Sequence, residues 1–168
     1  MCLLDAADGF KCKGTCTKSS SAISALDWSE DGQYIQTNDL GYELLFYAID
    51  EDNLKASGKQ VFATQLKDVA WATFTCKLGW PVQGVFDPSQ GGQDINSVDV
   101  NASRTLVATG DDFGDVKLYN YPCLPKAKSV AFGGHSSHVV TTRFTPDDKY
   151  LLSTGGHDLS IIQWALSP

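Results

Sequence analysis

The chain has 168 residues, 42% of them hydrophobic and four of them Trp, with a formal net charge of −7 at pH 7. This length and composition predict one globular domain with its own core and exclude a disordered chain. The negative net charge disfavours nucleic acid or an anionic membrane as a partner. We expect no membrane span and no signal peptide, because neither pattern occurs in the sequence.

Short strands that alternate apolar and polar residues dominate the first third of the chain. They are bounded by polar turns such as Ser19-Ser20-Ser21 and Glu30-Asp31-Gly32, which are typical of β-hairpins. We predict strands at 1–5, 9–17, 23–28, 34–37, 43–49 and 60–64.

Residues 67–90 differ from their surroundings in being rich in aromatic residues. Two segments, 69–76 and 80–86, carry aromatic and β-branched residues and are separated by Lys77-Leu78-Gly79. This pattern predicts an inserted β-hairpin, and Pro81 favours an edge position for its second strand. Beyond it we predict strands at 95–100, 105–109, 115–120 and 129–132, then three more between Val139 and Trp164.

Three stretches of the chain repeat one pattern. A shift of 72 residues takes Asp27 to Asp99 and Tyr47 to Tyr119 without a gap, and a further 45 takes Tyr119 to Trp164. The second spacing is that of WD40 repeats, about 40–45 residues for each propeller blade. The first spacing is longer by about 28 residues, which is the inserted segment.

The last repeat is nearly a complete WD40 repeat, from Gly134-His135 to the terminal Trp164. We therefore predict an all-β fold, a WD40-type β-propeller fragment with about three four-stranded antiparallel blades plus the inserted β-hairpin. We treat residues 1–168 as a single partial propeller domain. Its repeats span about 20–66, 94–132 and 134–166, and its insertion about 67–90.

Four residues of the last repeat, His135, Ser153, Asp158 and Trp164, are predicted to be structural. In WD40 blades, residues at these positions form a buried hydrogen-bonded chain that fixes the blade geometry. Ser, His and Asp could also form a catalytic triad. No G-x-S-x-G elbow or oxyanion loop accompanies them, so we predict no catalytic residue and no enzyme.

The other polar residues do not predict a metal or cofactor site. The five cysteines are predicted to be reduced thiols of a cytosolic protein, and the Cys12–Cys16 spacing lacks the second pair that zinc needs. A three-His site from His135, His138 and His157 is the alternative to surface turn residues for the last two.

The paired carboxylates and the Gly pairs of the sequence also have simpler explanations than a reactive site. Asp111-Asp112 and Asp147-Asp148 lie at turn positions, where Asp accepts hydrogen bonds from its own turn, so we do not predict a glycosidase pair. Gly91-Gly92 and Gly155-Gly156 fit no nucleotide-binding pattern. We therefore predict no cofactor.

Four aromatic residues of the insertion, Trp71, Phe74, Trp80 and Phe86, lie outside the repeat pattern. Either they pack against the propeller or some of them form an exposed patch that binds a protein partner. We name these four as candidate partner-binding residues.

Several segments of the chain resemble the echinoderm microtubule-associated protein-like (EMAP-like) family, and the insertion shares this resemblance. It extends from Ser20 to Trp164 and includes 71–79, 84–86, 94–96, 111–114, 121–123, 136–139, 153–156 and 160–164. The resemblance implies the C-terminal part of a tandem β-propeller that binds tubulin or microtubules. It also implies a cytoplasmic, cytoskeleton-associated protein, of which this chain would be the closing portion.

Two hypotheses of function follow. The first is a non-catalytic cytoskeletal scaffold that binds tubulin, microtubules or a regulatory partner. The alternative is a general WD40 peptide-binding module without a tubulin role, and an enzymatic propeller comes third.

The outer-type strand at 10–17 and the three inner strands at 139–164 also predict self-association. Either two copies close a six-bladed ring, in which the strand 10–17 of each copy pairs with the 139–164 blade of the other, or the chain is cut from a larger propeller and self-associates less regularly.

Overall fold

The computed structural model describes residues 1–49, 66–86 and 94–166. The chain divides into two compact units, Met1–Leu78 and Gly79–Pro168. In the described ranges both units consist mainly of antiparallel β-sheets. No helix in this described part of the chain is long and apolar enough to cross a membrane.

The strands of the first unit form two sheets. A two-stranded sheet contains β1 (Cys2–Asp5) and β2 (Lys11–Thr15). A three-stranded sheet has the order β3 (Ile23–Trp28), β4 (Tyr34–Asp39) and β5 (Leu44–Ala48). The central strand β4 is buried over five of its six residues, because both of its edges are paired and both of its faces are covered.

The core of the first unit connects these two sheets. Ile35 of β4 and Tyr47 of β5 are almost fully buried together with Cys16, which follows β2. Around them pack Met1, Leu3, Leu26, Leu45 and Ile49. Apolar residues alternate with polar ones along these strands, so each sheet presents one apolar face to the core, as two packed layers require.

The second unit contains a four-stranded and a three-stranded sheet, each antiparallel and in chain order. A 3-10 helix, Trp80–Phe86, precedes them. The strands are β6 (Ile95–Val100), β7 (Leu106–Asp111), β8 (Asp115–Asn120), β9 (Ser129–Gly133), β10 (Val139–Phe144), β11 (Tyr150–Gly155) and β12 (Ile161–Ala165).

The two sheets of the second unit pack closely on each other through β10. Val139 of β10 is buried with Ala108 and Val116 of the four-stranded sheet and with Leu151 of its own sheet. Gly110 lies directly beneath Val139, so that a Cβ atom at this position would overlap the Val139 side chain. The glycine is required because a strand of the next blade occupies the space above it.

The predicted all-β propeller-type fold is confirmed, and the second repeat has its four strands. The third repeat has three strands in the described residues, and the outer strand predicted at 60–64 lies outside them. The predicted ring-closing homodimer remains a prediction. Within the first unit, one edge of β2 is already paired with β1.

The predicted inserted hairpin is wrong. Residues 80–86 form a 3-10 helix rather than a strand, and 69–76 make a single bridge, between Ser29 and Trp71. Pro81 has no N–H for a strand ladder, and Gly84 lies against the Leu124 carbonyl group. In the first segment, the N–H groups of Thr75 and Cys76 bind the Asp27 carboxylate instead of a partner strand.

The prediction of reduced thiols is wrong for two of the five cysteines. Cys2 and Cys12 form a disulfide across the β1–β2 hairpin, with their Cα atoms 6.4 Å apart. The short turn between these antiparallel strands brings the two side chains together, and their spacing in the sequence alone does not indicate this. Cys16, Cys76 and Cys123 are free and buried.

We expect Gly110→Ala to lower the free energy of unfolding by about 1–3 kcal/mol, because the added methyl group would overpack the β7–β10 contact. Urea denaturation measures this change. Gly133→Ala is the matched control, since a Cβ there meets nothing closer than 4.0 Å. Equal stabilities of the two variants would contradict the packing described for β10.

Candidate functional site

Five side chains of the last repeat form one hydrogen-bonded chain. Ser153 Oγ lies 2.7 Å from His135 Nε2 and accepts a hydrogen bond from Trp164 Nε1 at 2.8 Å. On the other side of the ring, His135 Nδ1 lies 2.9 Å from Asp158 Oδ2 and from Ser160 Oγ. This hydrogen-bonded network connects β11 and β12 to the loop before β10 and to the β11–β12 turn.

The directions of these hydrogen bonds follow from the donors and acceptors present. The Trp164 N–H can only donate, and Asp158 as a carboxylate can only accept. In its neutral form His135 therefore carries its proton on Nδ1, and Ser153 donates its hydroxyl proton to Nε2. Burial opposes ionisation of Asp158, but hydrogen bonds from His135, Ser160 and the Ser136 backbone outweigh it and lower the pKa of this carboxyl group.

The order Ser153–His135–Asp158 has the hydrogen-bond geometry of a catalytic triad. The Ser153 side chain, however, is 0% exposed, and its oxygen already accepts the Trp164 N–H. A nucleophile must reach the substrate, and this hydroxyl group cannot. The arrangement can orient strands, but it cannot attack a bound molecule.

The first two repeats also have an Asp that closes the blade turn, but it lies at the strand position of Gly155, three residues before Asp158. In the first repeat Ser19 donates to Asp39 Oδ2 at 2.6 Å. Ser19 occupies the repeat position that His135 occupies in the last repeat. In the second repeat, the buried Lys117 ammonium group donates to Asp111 Oδ2 at 2.9 Å. Each blade turn is therefore fixed through its Asp, although the histidine–tryptophan chain is found only in the last repeat of the described residues.

A second buried carboxylate, Asp27 of β3, holds the inserted segment. Asp27 is 0% exposed. Its oxygens accept the backbone N–H groups of Thr75 at 2.7 Å and Cys76 at 2.9 Å. They also accept the hydroxyl of Thr73 and the side-chain amide of Gln36. These donors satisfy the carboxylate in its buried position and fix residues 73–76 against β3.

Asp99 of β6 has the same function in the second unit. Its Oδ2 accepts the backbone N–H of Phe144, in β10 of the next sheet, at 2.7 Å. Asp27 and Asp99 occupy equivalent repeat positions, 72 residues apart. The repeat pattern indicates this equivalence but not the role of the two carboxylates. The available signal was an Asp that lies between two apolar residues in both strands.

The four candidate partner-binding aromatics differ in their exposure. Phe74 is buried, with 7% of its surface exposed, so its assignment to an exposed patch is wrong. Trp71 is half-buried against Phe46, at 6.2 Å between ring centroids, and Phe86 is also half-buried. Trp80 is 54% exposed and is the remaining candidate for a partner contact.

No group of three or more His, Cys, Asp or Glu residues could hold a metal ion within the ranges that the structure describes. His138 and His157 are in edge-on contact, with their ring centroids 5.3 Å apart, while His135 belongs to the buried network.

Burial raises the pKa of the Cys123 thiol to about 11, despite a hydrogen bond from the Gly84 backbone that lowers it. Burial likewise raises the pKa of Cys16 and Cys76, so all three favour the neutral thiol.

A groove of about 450 Å³ lies beside β1 in the first unit. Its charged residues, Asp5 and Lys13, pair with each other at 3.2 Å. The groove therefore offers apolar surface rather than a reactive group. Its apolar lining includes Met1, Leu3, Leu26, Trp28, Ile35 and Ile49.

We expect His135→Ala to lower the free energy of unfolding by about 1–3 kcal/mol, because it leaves the buried Ser153 hydroxyl and Asp158 carboxylate without their partner. Thermal or urea denaturation measures the loss. His157→Ala, at an exposed turn position, is the control and should change stability by less than about 0.5 kcal/mol. A wild-type melting temperature for His135→Ala would refute the structural role.

Asp27→Asn should lower the free energy of unfolding by about 2–3 kcal/mol, since one carboxylate oxygen that accepts backbone N–H groups becomes an NH₂ group that cannot. Asp8→Asn is a control at an exposed carboxylate. Urea denaturation of both variants makes the comparison. Equal unfolding midpoints would show that Asp27 does not hold residues 73–76.

A model of the second β-propeller of echinoderm microtubule-associated protein matches residues 1–166. This match includes the insertion as well as the three repeats, so it covers every element described above.

Individual relatives agree with this match. Echinoderm microtubule-associated protein-like 4 of Xenopus tropicalis is 45% identical over 91% of this chain and 16% of its own length. Echinoderm microtubule-associated protein-like 1 of Homo sapiens is 43% identical over 90% of this chain and 18% of its own. The 77 kDa echinoderm microtubule-associated protein of Strongylocentrotus purpuratus is 43% identical over 91% and 22%, respectively.

The chain therefore spans between 16% and 22% of the length of these curated relatives. The family model and the relatives agree over almost all of its residues. The chain belongs to the echinoderm microtubule-associated protein-like family and corresponds to a part of its second β-propeller.

Proposed function

We propose that the chain is a non-catalytic scaffold segment of a microtubule-associated protein and that it binds tubulin or microtubules. The family match over residues 1–166 carries this proposal. Its relatives are named for their association with microtubules. The proposal also includes a cytoplasmic location at the cytoskeleton, where such a scaffold would meet its partner.

The structure of the polar networks supports a role without catalysis. The side chains that resemble a triad are satisfied by one another, and Ser153 is 0% exposed. The carboxylate oxygens of Asp27 and Asp99 accept hydrogen bonds from backbone N–H groups. These buried groups stabilise the blades, and blades held in this way present a fixed surface to a partner.

Trp80 is the side chain that we propose for the partner contact. It begins the 3-10 helix Trp80–Phe86 and is 54% exposed. The helix is fixed from both directions, since Gly84 N–H donates to the Cys123 carbonyl at 2.8 Å and Cys123 N–H donates to the Pro81 carbonyl at 2.7 Å. A large aromatic on a rigid support loses little entropy on binding, which is why Trp is common among residues that dominate binding energy.

Co-sedimentation with stabilised microtubules, together with size exclusion in the presence of soluble tubulin, tests the proposal. We expect the wild-type chain to bind in at least one of these assays. Trp80→Ala should weaken binding by about tenfold or more, as loss of a buried aromatic anchor does. Light scattering of the chain alone, without tubulin, gives its mass in solution and so tests the homodimer as well.

Phe10→Ala is the matched control, because Phe10 is a 68% exposed aromatic outside the proposed contact. It should bind like the wild type. Urea denaturation should show Trp80→Ala to be as stable as the wild type, within about 0.5 kcal/mol. Absence of wild-type binding to both forms of tubulin would refute the proposal, and equal binding by Trp80→Ala would refute the assigned contact.

The second candidate function is a general protein-binding module of the WD40 type without a tubulin role. Exposed apolar side chains at the blade turns favour it, for example Tyr42 at 70% and Phe113 at 68%. Their side chains take no part in the buried networks. A chain that binds neither microtubules nor soluble tubulin but captures a peptide would support this candidate.

A further inference from the structure

One end of the strands in the second unit forms a continuous surface from three turns. A Cβ atom on Gly114, in the β7–β8 turn, would lie 2.7 Å from the His135 carbonyl oxygen in the β9–β10 loop. That loop contacts the β11–β12 turn, since Gly156 N–H donates to the His138 carbonyl at 2.9 Å. We call this surface, formed by residues 94, 111–115, 134–138 and 156–160, the turn face.

The turn face is held in a fixed conformation. Asp111 Oδ1 accepts the N–H groups of Phe113 and Asp115, both at 3.0 Å, and so closes the β7–β8 turn. Gly114 has a φ of +89°, which glycine adopts without strain. The β11–β12 turn is closed in the same way by Asp158, whose Oδ1 accepts the Ser160 N–H at 3.2 Å. A partner would therefore meet a preformed surface.

Two large apolar side chains project from these closed turns. Phe113 is 68% exposed and Leu159 is 90% exposed. The turns are already closed by Asp111 and Asp158 through backbone N–H groups, so neither apolar side chain is needed for closure. Exposed apolar side chains on a rigid turn are available to a partner, and an aromatic ring there can accept a cation on its face.

The charges on the turn face indicate what this partner is. Asp94 and Asp112 are exposed and Asp115 is half-buried, whereas the residues that form the face include no Lys or Arg. The opposite ends of the same strands carry Arg104, Lys126, Lys128 and Lys149. Because antiparallel strands place successive turns at opposite ends, the turn face is acidic, whereas the opposite end also contains Asp147 and Asp148 and so carries both signs of charge.

We propose that the turn face is a docking surface for a basic, Arg- or Lys-bearing segment of a partner protein that also carries an aliphatic side chain. The cationic group would stack on the Phe113 ring between the carboxylates of Asp112 and Asp115. The aliphatic side chain would contact Leu159. The proposal goes beyond the tubulin-binding function and does not depend on it, because it uses neither Trp80 nor microtubules.

A titration of the isotope-labelled chain with a short peptide rich in Arg and Leu, followed by NMR, tests the proposal. We expect saturable shifts of the amide signals of residues 112–115, 136–138 and 157–160. A Glu- and Leu-rich peptide of the same length should leave them unchanged. Raising the ionic strength to about 0.3 M should weaken binding, since exposed charges are then screened beyond a few ångströms.

Two variants locate the binding site. Phe113→Ala should weaken binding of the Arg-rich peptide by about threefold to tenfold, because it removes the aromatic ring. Asp112→Lys should weaken binding by at least as much, because it reverses a charge. Val130→Ala is the control, since Val130 is a 59% exposed apolar residue of β9 outside the turn face. Amide spectra of the free variants verify that each is folded.

Three outcomes would overturn the proposal. The shifts could map to other residues, the acidic peptide could bind equally well, or Phe113→Ala and Val130→Ala could have the same affinity. Failure of the microtubule assay would leave these results unaffected. Loss of peptide binding in Phe113→Ala, together with normal sedimentation of this variant, would separate the two surfaces.

Discussion

The structure depends on a buried carboxylate that binds the backbone of the segment packed against its own blade. Asp27 accepts N–H groups of residues 75 and 76, and Asp99 accepts that of Phe144. A blade cannot bury both of its faces alone, so a directional bond to the next segment sets where that segment lies. At the equivalent position of the last repeat, Arg143 donates instead to the Val98 carbonyl at 3.2 Å. The coupling between these two blades is thus made from both sides.

The sequence indicated those features that are local or periodic. The Gly-His and Trp positions predicted which side chains meet around His135, and the alternation of apolar residues predicted the strands. The conformation of residues 80–86 could not be predicted in this way. Its aromatic residues favour a strand, but Pro81 and the contact of Gly84 with Leu124 favour a 3-10 helix. That contact joins residues 40 positions apart in the sequence, so no local pattern contains it.

Two groups of side chains have different consequences for function. Buried groups, such as His135 and Asp27, have their hydrogen bonds satisfied within the fold and contribute rigidity. Exposed side chains, such as Trp80 and Phe113, take no part in the buried networks and are available for contact. This division favours a scaffold over an enzyme, because reactive side chains of an enzyme must be both positioned and accessible. It also allows two separate partner surfaces on one small segment.

Native-state hydrogen exchange of the unmodified chain tests the carboxylate coupling most directly. The amides of Thr75, Cys76 and Phe144 should exchange only through opening of the unit that contains them, with a free energy close to that of its unfolding. For domains of this size that free energy is about 5–15 kcal/mol. Exchange of these three amides as fast as that of exposed turn amides would contradict the coupling, and with it this account of how the blades are held together.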